Sequence, residues 1–124
     1  MYPKYIVFAC GTDILPVIFG DTGTSHYEIA EAIQDKFPTL KPISAGFCSI
    51  TTFLDDNEDD PGDGEFEATI KAFGESVTLK LQADPRDSEL LSRHFIPQYR
   101  ENHDQPSEEY LKYLENPAVN DPRR

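Results

Sequence analysis

The sequence predicts a single α+β domain with a mostly antiparallel sheet of four to five strands and two helices packed on one face of the sheet. Three observations lead to this fold class: apolar runs of strand length, two segments with helical spacing and capping residues, and turn residues between them. The elements follow the order ββαββ(β)α, and a short C-terminal helix comes after them.

The first two strands are predicted to form a hairpin. Residues 5–10 (YIVFAC) and 14–19 (ILPVIF) are β-rich apolar runs, and Gly11-Thr12-Asp13 is the turn between them. Pro16 has no N–H to donate to a strand ladder. The second strand is therefore expected at an edge of the sheet, or interrupted at the proline.

The first helix is predicted to begin at Ser25. Ser25 and Glu28 have the spacing of a capping box, in which each side chain satisfies a free backbone amide of the other residue. Ile29 and Ile33 follow on one face at helical spacing, and Pro38 ends the helix.

The remaining strands lie between residues 43 and 82. Residues 43–53 (ISAGFCSITTF) predict a third strand, in which Gly46 indicates a bulge or the close approach of another backbone. Residues 66–72 and 77–82 both alternate apolar and polar side chains around Gly74. They are either one long bent strand or two strands that meet at the glycine.

The second helix is predicted to begin at Asp84, with Asp84 as the cap and Pro85 at the first helical position. Leu90 and Leu91 lie on its apolar face, and Pro97 ends it.

A boundary is expected near Pro97. Residues 1–97 form the single α+β domain, and residues 98–124 form a polar C-terminal appendage that is partly disordered. Within the appendage, residues 107–114 (SEEYLKYL) predict the short C-terminal helix.

The net charge of -12 limits the possible partners. Residues 55–82 hold 9 acidic and 2 basic side chains, a balance of -7, and so dominate the field of the molecule. Such a field repels nucleic acids and anionic membranes and attracts basic proteins or cations. Direct binding to DNA or RNA is not expected, because that affinity depends on Lys and Arg neutralising phosphates.

The acidic residues are concentrated in residues 53–67 (FLDDNEDDPGDGEFE), which hold eight carboxylates and no Lys or Arg. An EF-hand register fails here: with Gly62 at the sixth position, Ala68 takes the place of the bidentate Glu. Three interpretations of this stretch remain open: a weak cation site, a solvated hairpin tip, or a partner-binding surface that imitates a polyanion. The partner-binding residues are predicted to be Asp55, Asp56, Glu58, Asp59, Asp60, Asp63, Glu65 and Glu67.

A small-ligand site is the alternative. Residues 20–25 precede a helix and offer backbone amides to an anion, but they lack a Walker lysine, and Asp21 opposes a phosphate. The ligand would be a nucleotide or a signalling molecule. The alternative ligand-binding residues are Thr22, Ser25, His26 and Ser44.

No catalytic, metal-binding or cofactor-binding motif is present. The sequence has no GxSxG, HxxxH or HExxH pattern, so we expect no enzyme, no catalytic residue, no metal and no cofactor. Cys10 and Cys48 are expected to be small core residues of an intracellular protein, because neither a signal peptide nor an apolar stretch of membrane-spanning length occurs. A structural or assembly protein that forms a homo-oligomer is a further alternative.

Several segments resemble small accessory proteins of tailed phages and prophages. They are residues 16–19 (PVIF), Ser25-His26, residues 42–47 (PISAGF), residues 74–79 (GESVTL) and residues 84–87 (DPRD). The resemblance covers residues 5–95 and identifies no site residue. It implies an accessory protein that acts in the cytoplasm of a bacterial host, where such proteins often block host defence by occupying a host protein. The prediction is therefore an inhibitor that occupies a basic, nucleic-acid-binding surface of a host defence protein.

Overall fold

The computed structural model of the chain describes residues 2–11, 13–20, 23–54 and 66–115. The main strands are β1 (Lys4–Cys10), β2 (Asp13–Phe19), β3 (Lys41–Leu54) and β4 (Phe66–Phe73), followed by the two-residue strands β5 (Glu75–Ser76) and β6 (Leu81–Gln82). The helices are α1 (His26–Lys36), α2 (Asp87–Phe95), α3 (Pro97–Asn102) and α4 (Glu108–Glu115).

The four main strands form one antiparallel sheet in the order β2-β1-β3-β4, and β5 pairs with β6 in a small second sheet. This arrangement confirms the α+β class, the antiparallel pairing and the order of the elements. Pro16 lies in β2, whose partner is β1, so the proline is in an edge strand as predicted. Gly11, with φ of 62°, lies at the turn between these two strands.

Helix α1 begins where its capping residues predict. The Ser25 hydroxyl accepts a hydrogen bond from the Glu28 backbone amide at 3.2 Å. The Ser25 hydroxyl also lies 3.4 Å from the Glu28 carboxylate. The last helical residue is Lys36, two positions before Pro38, which cannot continue a helix.

The helices lie on both faces of the sheet, so the prediction of two helices on one face was wrong. Tyr5 and Val7 pack with residues of α2 and α4, whereas Ile6 and Phe8 pack with residues of α1. Successive side chains of a strand point to opposite faces. Because β1 is apolar at every position from Tyr5 to Phe8, both of its faces need a cover, and helices supply it on each side.

Helix α2 begins at Asp87 and not at Asp84, which corrects the predicted start. The Asp84 carboxylate accepts a hydrogen bond from the Arg86 backbone amide at 2.8 Å, and the Asp84 carbonyl accepts one from the Asp87 amide at 2.9 Å. Asp84 therefore stabilises the turn before the helix. The N-cap position is Arg86, whose side chain makes no capping hydrogen bond.

Gly74 separates two strands, which decides between the two predicted alternatives. Its φ of 79° turns the chain from β4 into the short β5–β6 hairpin. Residues 77–80 form the turn of that hairpin, so the alternation seen in residues 77–82 does not reflect one continuous strand.

Gly46 marks a close approach of two backbones, as predicted. A Cβ atom at this position would lie 2.5 Å from the carbonyl oxygen of Phe73. The shift in strand register lies elsewhere, between Val7 and Phe8 of β1, which face Ser44 and Pro42 of β3.

The C-terminal segment contributes to the main core. Pro97 ends α2 as predicted and also begins α3, which was not predicted. Tyr110 and Tyr113 of α4 are buried in the cluster that contains Tyr5 and Leu91. Up to residue 115, the segment predicted as a polar appendage therefore packs as part of the α+β domain.

Candidate functional site

The acidic stretch lies almost entirely outside the described residues. Of the eight residues predicted to bind a partner, Glu67 alone lies in a described element, as a residue of β4. The other seven, Asp55 to Glu65, fall between the last residue of β3 and the first residue of β4. The structure thus specifies where the stretch is attached to the fold.

The attachment point is the end of a two-stranded ribbon, which we define as the pairs from Ser49↔Lys71 to Leu54↔Phe66. The first residue of β1, Lys4, pairs with Phe47, so these six residues of β3 continue past β1 and pair with β4 alone. At about 3.4 Å per residue, the ribbon extends about 20 Å. Its open end carries the acidic stretch.

Helix α2 covers part of the outer edge of β4, at the start of the ribbon and just before it. The Ser92 hydroxyl accepts a hydrogen bond from the Ile70 amide at 2.8 Å and lies 3.2 Å from the Ile70 carbonyl. One turn earlier, the Ser88 hydroxyl accepts from the Ala72 amide at 2.9 Å. These contacts satisfy backbone groups that an edge strand would otherwise leave unpaired.

The residues of the alternative ligand site are divided between two places. Ser25 and His26 lie together at the start of α1. Ser44 is buried on the opposite face of the sheet, because its partner Val7 belongs to the face that packs against α2 and α4. Thr22 is outside the described residues. Ser44 therefore belongs to a separate cluster from Ser25 and His26.

Ser25 and His26 line a cleft of about 470 Å³, which we call the His26 cleft. This volume is within the range of small-molecule sites. The cleft lies between α1, the start of β1, β3 and the β5–β6 hairpin. Its lining residues are Lys4, Ser25, His26, Phe47, Gly74, Glu75, Val77 and Thr78.

His26 is the most buried polar side chain of this cleft, with 5% of its surface exposed. Its Nε2 donates to the Gly46 carbonyl at 2.8 Å, since a carbonyl can only accept. The ring also packs edge-on against Phe19 and Phe47. Burial lowers the pKa of His26, with the Lys4 charge acting in the same direction and the Gly46 bond against it, so the ring is neutral at pH 7.

The β5–β6 hairpin is held against the start of α1. The Thr78 hydroxyl accepts a hydrogen bond from the Tyr27 amide at 3.2 Å, and the Ser76 hydroxyl lies 3.4 Å from that of Thr78. This contact satisfies one of the free amides at the helix start. Thr78 and Val77 belong to the cleft through tertiary packing alone, and no sequence motif pointed to them.

A second cleft, of about 420 Å³, is lined in part by Asp84, Arg86 and Glu109. The Arg86 guanidinium is bound by both oxygens of Asp84, at 2.8 and 2.9 Å, and lies 4.5 Å above the ring of Tyr113. Its charge is therefore used inside the protein. This cleft is a less suitable ligand site than the His26 cleft.

A buried polar cluster lies beneath α2. Asp87 is fully buried and accepts hydrogen bonds from the hydroxyls of Tyr5 at 2.6 Å and Tyr113 at 2.9 Å, and from the Asp84 amide at 3.0 Å. Burial raises the pKa of Asp87, and the bonds from the tyrosine and the backbone oppose this shift. Because the carboxylate joins β1, α2 and α4, the cluster has a structural role.

Ser44 lies beside this cluster. Burial raises the pKa of both Asp87 and Tyr113, and Ser44 acts in the opposite direction on each of them. However, its hydroxyl makes no hydrogen bond of good geometry to the residues that the structure describes.

Both cysteines are free thiols, Cys48 buried and Cys10 half-buried. Burial raises the pKa of Cys48 to about 11, so this thiol is protonated and unreactive at neutral pH. This agrees with the prediction that it is a small core residue.

Neither a metal centre nor a membrane span is found in the described part of the chain. Within residues 2–11, 13–20, 23–54 and 66–115, no three His, Cys, Asp or Glu side chains are grouped as metal ligands. None of the helices in these ranges is long and apolar enough to cross a membrane.

Comparisons of the chain with protein-family models, with curated proteins and with solved structures find no match. Two features are thus left as candidate sites: the acidic stretch at the end of the ribbon and the His26 cleft.

Proposed function

We propose that this protein is a non-enzymatic acidic module that binds a basic surface of another protein and imitates a polyanion there. The partner class is a nucleic-acid-binding protein of a bacterial host, and the effect is inhibition of host defence. The resemblance to phage accessory proteins supports the setting, and the charge distribution supports the partner class.

The observation that carries this proposal is the position of the acidic stretch. Residues 55–67 hold eight carboxylates and no basic side chain, and they connect the two strands at the open end of the ribbon. Closely spaced like charges oppose compaction and attract a surface of opposite charge. A basic groove that binds nucleic acid has that charge.

The test is a capture experiment from bacterial lysate with the tagged protein at low and high salt. We expect a nucleic-acid-binding protein to be recovered at low salt and lost at high salt, because such binding is electrostatic. A variant with the eight carboxylates of residues 55–67 changed to amides should lose the partner.

The matched control removes the same number of charges elsewhere. Its eight substitutions change exposed carboxylates outside the stretch to amides, so both variants have the same net charge. If both variants lose the partner equally, only the total charge matters, and the acidic stretch is not the binding surface. The control positions are Asp13, Glu31, Asp35, Glu101, Asp104, Glu108, Glu109 and Glu115.

The second candidate function is a small-ligand module, and the His26 cleft favours it. Ser25 and His26, which the sequence indicated as ligand residues, both line this cleft. A ligand that binds only the folded chain raises its melting temperature. A thermal-shift series with nucleotides and small metabolites tests this function, and the absence of a shift with every compound would contradict it for those compounds.

A further inference from the structure

Strand β3 has an edge within the ribbon that no described strand covers. The Cys48 amide donates a hydrogen bond to the Pro3 carbonyl at 2.9 Å, so the backbone groups of Cys48 point towards β1. Those of Ile50 and Thr52 point the same way, because the hydrogen-bonding groups of a strand alternate between its two sides. However, β1 begins at Lys4, and within the described ranges neither a strand nor a side chain bonds to the backbone of Ile50 or Thr52 on this side.

The other edge of the ribbon shows the same alternation but has a cover. Ile70 and Ala72 of β4 pair with Ile50 and Cys48, so their backbone groups point away from β3. Both amides donate to serine hydroxyls of α2, which confirms the direction in which they point. Ala68, the next outward-facing residue of β4, is partly buried. The fold therefore protects much of the edge of β4 and leaves that of β3 exposed.

The side chains along the exposed edge of β3 suit pairing with another strand. We call residues 49–52 (SITT) the free edge; they include neither a charged residue nor a proline, the residue types that usually prevent an edge from pairing. Thr51 and Thr52 are exposed, and Ile50 is 64% exposed although its side chain is large and apolar. A strand laid along the free edge would bond to the backbone of Ile50 and Thr52 and cover the Ile50 side chain.

The charge near the free edge selects the sign of a partner strand. Residues 49–71 hold eight carboxylates and one basic side chain, Lys71, a formal balance of -7. The first of these carboxylates belongs to Asp55, three residues after Thr52, so their α-carbons are at most about 11 Å apart. A second copy of this chain would bring two such charges together, whereas a basic segment is attracted to one of them.

We propose that the free edge binds an extended basic segment of a partner protein as an added β-strand. The backbone groups of Ile50 and Thr52 hold the segment by main-chain hydrogen bonds, and the charge of the adjoining acidic stretch selects lysine or arginine side chains. This inference rests on the acidic, polyanion-like function proposed above and names the conformation in which the partner is bound.

The probes are three seven-residue peptides. The first alternates lysine and valine, the second has the same sequence with every backbone amide methylated, and the third has glutamate in place of lysine. Methylation removes the N–H donors of the peptide and keeps its charge. Binding is measured on the labelled full-length protein by ¹H–¹⁵N NMR and by hydrogen exchange of single amides.

We expect the lysine peptide to slow the exchange of the Ile50 and Thr52 amides. The Thr51 amide faces β4, its partner in the ribbon, and its exchange should change less. The methylated peptide should bind about tenfold more weakly, because it cannot donate to the free edge. The glutamate peptide should not bind.

Thr52→Pro removes one N–H of the free edge. A proline is tolerated in an edge strand where its nitrogen faces solvent, so the fold should persist, and the NMR spectrum of the variant checks this. The affinity for the lysine peptide should fall about tenfold. Thr52→Val keeps the N–H and is the matched control. Equal weakening by both variants would overturn the proposal, and the methylated peptide tests it on the wild type if the proline variant does not fold.

The outcomes separate this inference from the function on which it rests. If the lysine peptide and its methylated form bind equally, charge alone holds the partner: the polyanion-like function stands and the added strand is wrong. If the glutamate peptide protects the same amides as well as the lysine peptide does, the basic partner is wrong. If the protein alone is a dimer in which the Ile50 and Thr52 amides are already protected, the occupant is a second copy and the proposal is overturned.

A fourth outcome is that no peptide shifts the signals of the free edge at millimolar concentration. The added strand is then wrong, whereas the polyanion-like function is still decided by the capture experiment with the variant in which the eight carboxylates are amides.

Discussion

Asp87 shows how one buried residue links the stability of this fold to pH. The carboxylate connects Tyr5 of β1 and Tyr113 of α4, and burial raises its pKa above the ordinary value. A carboxyl group whose pKa is higher in the folded chain than in the unfolded chain favours folding when it is protonated. This contribution is fully present below the unfolded-state pKa and is lost as the pH rises through the folded-state pKa.

We expect the stability of the wild type relative to Asp87→Asn to fall as the pH rises above about 4, because the asparagine does not titrate. Chemical denaturation of both proteins over a pH series measures the two free energies of unfolding. Asp35→Asn, in the exposed part of α1, is the matched control for the loss of one carboxylate. If the wild type instead gained stability relative to Asp87→Asn as the pH rises, a raised pKa for Asp87 would be contradicted.

A substitution at Gly46 tests how closely the backbones of β3 and β4 approach each other at Gly46 and Phe73. A Cβ at this position would meet the Phe73 carbonyl at 2.5 Å, so Gly46→Ala should lower the free energy of unfolding by about 2 kcal/mol. Gly11→Ala is the comparison, because its Cβ would meet no atom within 4 Å and only the left-handed φ of 62° opposes it. We expect about 1 kcal/mol there. Equal losses in denaturation experiments would contradict the steric argument at Gly46.

At the scale of elements, helix α2 covers the edge of the sheet that is formed by β4. Its hydroxyls at Ser88 and Ser92 are one turn apart and therefore lie on the same helical face. They bind the backbone of β4 at Ala72 and Ile70. The pair of serines replaces a neighbouring strand along this part of the edge.

The double variant Ser88→Ala/Ser92→Ala should expose this edge. We expect a loss of about 2 kcal/mol, since two backbone amides of β4, one buried and one partly buried, lose their acceptors. Hydrogen exchange of the Ile70 and Ala72 amides should accelerate more than that of the Ile6 amide in the central strand β1. Equal acceleration at all three amides would indicate global destabilisation and no specific role at the edge.

At the scale of the whole molecule, the net charge of -12 lowers the stability of the folded state, because like charges repel one another more strongly in a compact chain. Salt screens the repulsion among the carboxylates of residues 55–67, so added salt should raise the melting temperature. The variant in which those eight carboxylates become amides should melt a few degrees higher than the wild type at low salt and respond less to salt. The eight-position control variant described above distinguishes the local effect from total charge.

This salt experiment is independent of any partner. If the acidic stretch has no effect on the melting temperature but is required for capture of a basic protein, its charge acts only in binding. If the variant and the wild type respond equally to salt, repulsion within the stretch is not a cost to the fold.

Local patterns were sufficient for the elements that depend on neighbouring residues. The hairpin around Gly11, the start of α1 at Ser25 and the edge position of Pro16 all follow from short-range backbone chemistry. The start of α2 was misplaced because Asp84 has the side chain of a cap but binds the turn that precedes the helix.

The apolar composition of β1 already indicated that both faces of the sheet are covered, although the prediction placed both helices on one face. Four consecutive apolar residues from Tyr5 to Phe8 require a cover on both faces of the sheet, and α1 and α2 lie on opposite sides as a result. The packing of Tyr113 against Asp87 had no such signal, because the two residues are 26 positions apart in the chain.

The sequence by itself determined the antiparallel α+β class, the first hairpin, the first helix and the position of the charge between β3 and β4. Each of these depends on residue type and on short spacing along the chain. Only the tertiary structure decided which faces the helices cover, that Ser44 lies away from His26, and that Glu75 and Val77 join His26 in one cleft. The reason is physical: such contacts join residues far apart in the chain, and they form only when the apolar faces of the sheet and helices are buried together.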